Sequence, residues 1–110
     1  MDIRQATDPE LDALLRAFSE ELIQYTPEHF RDIRCTVRAG LEEGRKAMFY
    51  HIECPQFPDE STGSPSAEMH QLAFAIHDHW ERNGETFPGF QLRCVMGEDG
   101  AWRSTLDLLT

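Results

Sequence analysis

The sequence predicts an α+β domain, a four-stranded, mainly antiparallel sheet with two helices packed on one face, in the order α-β-β-α-β-β. Three observations carry this. Two stretches place apolar residues at helical spacing, four stretches alternate or concentrate strand formers, and each strand pair is joined by a glycine-containing turn. Both helices carry a single apolar stripe, so they need one common surface to bury against, and a shared sheet face supplies it. The 110 residues are 40% hydrophobic and 27% charged, which suits one domain spanning residues 1–110 with a closed core.

The first helix starts at Asp8-Pro9, where Asp accepts from orphan amides and Pro stands where its missing N–H costs nothing. Leu11, Leu14, Leu15, Phe18 and Leu22 form its stripe, and Pro27 marks its exit. From Ile33 the period becomes two, with Ile33, Cys35, Val37 and Ala39 on one face and Arg34, Thr36 and Arg38 on the other. Gly40 to Gly44 is read as the turn of a hairpin whose second strand is Ala47 to Ile52, ended by Pro55 and Pro58. The stretch from Pro55 to Ser64 has loop composition.

Ser64-Pro65 repeats the cap signal, and Met69, Leu72, Ala73, Ile76 and Trp80 run at helical spacing to a stop at Asn83-Gly84. Phe87 to Phe90 turns the chain into a strand from Gln91 to Met96, and Gly97 to Gly100 turns it again. Residues 101–108 then set Trp102, Ser104, Leu106 and Leu108 against Arg103, Thr105 and Asp107, a second hairpin. Trp80 and Trp102 each lie on an apolar stripe and are expected at the core or its edge.

Twenty acidic residues against ten basic ones give a net charge of −10 and a pI near 4.8, which disfavours nucleic acid and anionic lipid as partners and favours a basic protein. No apolar run is long enough for a signal segment or a membrane span, so a cytoplasmic location is expected. Cys35 and Cys94 fall in register with apolar neighbours and are expected to be buried free thiols.

Residues that carry chemistry are scattered. His70, His77 and His79 share the second helix, but His70 and His77 are separated by roughly 10 Å of rise, and His77 and His79 point to different sides. No chelate forms, and a polar helix face is the expected role. His51 and Cys54 lie three apart on a strand, hence on opposite faces, which argues against a nucleophile pair. No glycine-rich phosphate loop, GxSxG, CxxC or HExxH is present. No catalytic residue, metal or cofactor is expected, and the chain is read as working by binding. The paired carboxylates Glu20-Glu21, Glu42-Glu43, Asp59-Glu60 and Glu98-Asp99 are the candidate binding groups.

Several features occur together: a helix ending near Pro27 with Phe30 three residues on, Phe49-Tyr50 in a hairpin, Trp80 four residues before Gly84, and a closing Asp99-Gly100-Ala101-Trp102-Arg103. In this pattern, across nearly the whole chain, the sequence resembles the YezG-like immunity proteins, small bacterial antitoxins encoded beside polymorphic toxins. The resemblance implies a stoichiometric inhibitor that binds a cognate toxin, often a nuclease, and masks its active site. A small acidic secretion chaperone and a small-molecule-binding or catalytic α+β domain are the alternatives.

The order of elements also predicts where charge collects. If each element reverses the last, Glu20, Glu21, Glu28, Asp59, Glu60, Glu68, Glu98 and Asp99 gather at one pole with few compensating charges. Arg38, Arg45, Lys46 and Arg82 gather near the other. Such a dipole orients an approaching basic partner, so the expected partner-binding residues are Asp59, Glu60, Glu98 and Asp99, with Glu28 and Glu68.

Overall fold

The computed structural model describes residues 8–60 and 64–109. The first helix, α1, spans Pro9–Tyr25. Its start is as the sequence implies, for the amides of Glu10 and Leu11 donate to Asp8 Oδ1 at 2.9 and 3.2 Å. Thr26 ends it, its hydroxyl donating to the Leu22 carbonyl at 3.1 Å, and Pro27 follows, which a helix interior does not tolerate.

Strands β1 (Asp32–Glu42) and β2 (Arg45–Glu53) pair antiparallel. The turn between them is only Glu43-Gly44, with φ of 52° and 77°, the left-handed pair that matches strand twist in a two-residue hairpin. This shortens the turn expected over Gly40 to Gly44 and extends both strands. Gly40 belongs to β1, where a Cβ would sit 2.7 Å from the Phe49 ring. The glycine therefore marks a place where a cross-strand aromatic covers bare backbone, and not a bend.

The second helix, α2, spans Ala67–Arg82. Its cap is Ser66, whose Oγ accepts from the Met69 amide at 3.1 Å, and not Ser64. Serine and proline precede helix starts in either register, and the one that prevails puts Met69, Ala73 and Ile76 against the sheet. Strands β3 (Phe90–Met96) and β4 (Trp102–Leu108) complete a sheet of order β2-β1-β3-β4, antiparallel throughout. The α2 crossover thus carries the chain from the β2 edge to the far side of β1.

One sheet face buries Ile33, Cys35, Val37, Met48, Phe90, Leu92, Cys94 and Leu106 against Leu15, Phe18, Leu22, Met69, Ala73 and Ile76 of the helices. Phe18 meets Phe90 edge-on at 5.8 Å, and burying each such ring contributes roughly 2–3 kcal/mol. Trp80 and Trp102 pack at the edge of this core. Ala39 is exposed although it points to the same side, because β3 pairs with β1 only as far as Val37. Burial pushes the Cys35 thiol up to about 12 and raises Cys94 as well, so both are inert free thiols, with Cys54 also buried and free. Among the described residues, no helix covers the opposite sheet face.

Candidate partner-binding site

Strand direction decides where the carboxylates lie. β1 begins where β2 and β3 end, since Arg34 pairs with Glu53 and Asp32 with Val95. Glu28 before β1, Asp59 and Glu60 after β2, and Glu98 and Asp99 after β3 therefore share one end of the sheet, and all five are exposed. Glu68 stands in the first turn of α2, in the helix layer and not among the loops. Its end of α2 adjoins the C-terminal end of α1, where the Tyr25 hydroxyl donates to the Ser64 carbonyl.

The loops at this end are held in place. Phe57 stacks on Phe30 with ring centroids 5.9 Å apart, and His29 lies edge-on to both. His29 Nε2 also meets Glu60 Oε2 at 2.7 Å. This aromatic clasp ties residues 55–60 to the segment before β1, while residues 61–63 of the expected loop lie outside the described residues. On the other side, the Gly97 amide donates to the Ala101 carbonyl at 2.9 Å, and Gly100 at φ 79° completes the turn. Side-chain bonds from Arg103, at 2.9 Å, and the Ala101 amide hold Asp99 below the usual carboxylate range.

The expectation of few compensating charges does not hold. Arg93 grips Asp32 through two bonds of 3.1 and 2.8 Å, Arg103 pairs with Asp99, and the Arg31 guanidinium caps the Glu28 carbonyl. Strand alternation accounts for this, because Arg34, Arg38, Arg93 and Arg103 all fall on the uncovered sheet face. Among the described residues, Glu28, Asp59 and Glu98 have no ion-pair partner, whereas Glu60 and Asp99 do. At the other pole Lys46 faces Glu81 at 3.6 Å and Arg82 faces Glu10 at 3.0 Å, so two of the four cations expected there are engaged. Charge separates across the layers as well as along the strands: acids dominate the helices, arginines the bare sheet.

A second concave feature was not legible in the sequence. Between α1 and α2 lies a groove of about 410 Å³, lined by Ala17, Glu20, Glu21, Glu68, Gln71, Leu72 and Ala75. Glu20, Glu21 and Glu68, expected at the acidic pole, line this groove, where the C-terminal part of α1 meets the first turn of α2. Its walls come from helices some fifty residues apart, and only the antiparallel packing of the pair creates it. The signal available was the recurrence of alanine on the outward side of each stripe.

The expected polar helix face holds for His70, which is exposed, but not for the other two histidines of α2. His77 and His79 are buried, at 4% and 6% exposure. His79 Nε2 lies 2.9 Å from Asp8 Oδ2 and its Nδ1 3.4 Å from Glu10 Oε2, so the carboxylate that caps α1 also clasps the last turn of α2. His77 sits by Phe87, Asp78 and Glu81, and His70 bonds Tyr50 at 2.9 Å. Their spacing turns them to three different neighbours, and among the described residues no three His, Cys, Asp or Glu side chains converge as metal ligands. His51 is exposed beside Glu53 while Cys54 is buried, so these two face apart as strand alternation requires. No helix among the described residues is long and apolar enough to cross a membrane.

What this arrangement presents chemically is a set of carboxylates on braced loops and an acid-rimmed groove between helices, both suited to contact with a basic surface. No known protein family matches this chain, and no curated protein is significantly similar to it.

Proposed function

We propose that this chain is a bacterial immunity protein of the YezG-like kind, which binds a cognate polymorphic toxin and neutralises it by masking its active site. The observation that carries the reading is the gathering of Glu28, Asp59, Glu60, Glu98 and Asp99 on loops fixed to one end of the sheet. A fixed constellation of carboxylates costs little to order on binding, and it steers a cationic partner to one orientation. A nuclease fits as partner, because surfaces that hold phosphate are basic and a carboxylate-rich face occupies the same ground. The protein acts in the cytoplasm and works by occupancy, not turnover, and its charge of −10 sets it against nucleic acid and anionic lipid as direct partners.

The test is neutralisation. The product of the adjacent gene, expressed alone, should arrest growth, and equimolar co-expression of this chain should restore it and yield a complex that co-purifies. A neighbouring product that is harmless, or toxic but neither bound nor inhibited, contradicts the proposal.

A further inference from the structure

The outer side of the helix layer carries a feature that the loop carboxylates leave unexplained. The α1–α2 groove is floored by Ala17, Leu72 and Ala75 and rimmed by Glu20 and Glu21 on one helix and Glu68 on the other. Among the described residues, these three carboxylates have no hydrogen-bonded or ionic partner. The two arginines within the helices are committed elsewhere, Arg16 to Asp12 at 2.7 Å and Arg82 to Glu10 at 3.0 Å. Acidic rims thus flank an apolar floor, and among the described residues no cation lines the space between them. Like charges on the two walls repel, and a cationic guest relieves that repulsion.

The floor narrows the choice of guest. A small polycation needs no apolar contact, whereas alanines let another backbone approach closely and accept the ridge of a third helix. An extended segment would find no partner for its amides, since both walls are helices whose backbone groups are already bonded internally. The geometry points to the α1–α2 groove as the docking site for an amphipathic helix of the partner protein, with apolar side chains on Ala17, Leu72 and Ala75 and flanking Lys or Arg against Glu20, Glu21 and Glu68. This rests on the reading of the chain as the binder of a basic protein, and adds a surface distinct from the loops.

The experiment uses the whole protein and three probes: a synthetic amphipathic Leu/Lys helix, a peptide of the same composition whose scrambled order abolishes the stripe, and spermine. Calorimetric titration should show the ordered peptide binding more tightly than either of the others. Changing Glu20, Glu21 and Glu68 together to Gln should weaken it about tenfold and flatten its salt dependence, as the loss of three exposed ion pairs implies. Ala75→Leu, which keeps every charge but fills the floor, should weaken it too, while changing Glu42 and Glu43 to Gln should not. The triple variant should remain folded, because it removes repulsion between the walls and gives up only the attraction of Glu68 for the N-terminus of α2. The inference is overturned if the scrambled peptide or spermine binds as well as the ordered helix, or if the triple variant or a folded Ala75→Leu binds like the parent. Because the probes are synthetic, failure here leaves the neutralisation test standing, and failure of neutralisation leaves the groove standing.

Discussion

Asp8 does two jobs with one carboxylate: Oδ1 takes the first free amides of α1 and Oδ2 meets His79 of α2. The Leu11 amide foremost, then His79, hold its carboxyl below the ordinary 3.8. A carboxyl lowered in the folded state adds stability that is present above its unfolded pKa and is lost as pH falls through the folded one. Asp8→Asn should therefore destabilise at neutral pH and lose that effect below about pH 4, as urea denaturation across pH will show. A penalty that grows in acid would contradict the arrangement. Ser66 allows a second check at this scale, since Ser66→Ala should cost about 1 kcal/mol and Ser64→Ala within about 0.5 kcal/mol. The reverse order would put the cap where the sequence suggests it. The first helix start was legible because its capping partners are two and three residues away, but the burial of His79 was not, because Asp8 is 71 positions distant.

Among the elements, strand faces followed directly from alternation, and helix stripes from spacing, since both periods are local. Sheet order was not legible, because only the α2 crossover decides that β3 lies beside β1. The glycines show the same division. Gly44 turns a hairpin with nothing within 4 Å of an added Cβ, whereas Gly89, at φ 76°, would bring one to 2.9 Å from the Val37 carbonyl oxygen. Left-handed backbone alone costs a non-glycine residue about 1 kcal/mol, and a backbone collision adds to it. Gly89→Ala should thus lower the unfolding free energy by about 2 kcal/mol or more, and Gly44→Ala by about 1 kcal/mol. Equal losses in chemical denaturation would mean that the β3 entry does not press against β1.

The molecule as a whole is thin, with extents of 40 × 34 × 24 Å, two layers whose outer surfaces differ in charge. Element order sufficed to place the 55–60 loop and the 97–100 turn at the same end. Of the arginines that partly offset them, Arg93 was not legible because it reaches Asp32 across strands, whereas Arg103 lies only four residues from Asp99 and was open to a local reading. What remains at that end is a set of carboxylates of which Glu28, Asp59 and Glu98 have no ion-pair partner among the described residues, and the central claim is that this end steers a basic toxin onto the protein. The measurement that reaches it most directly is the association rate with the purified product of the adjacent gene, followed against salt. Replacing Asp59, Glu60, Glu98 and Asp99 with Asn or Gln should slow association by about tenfold at low salt and flatten its salt dependence, while Glu42→Gln with Glu43→Gln leaves both unchanged. Equal effects from the two sets, or a rate indifferent to both, would contradict it.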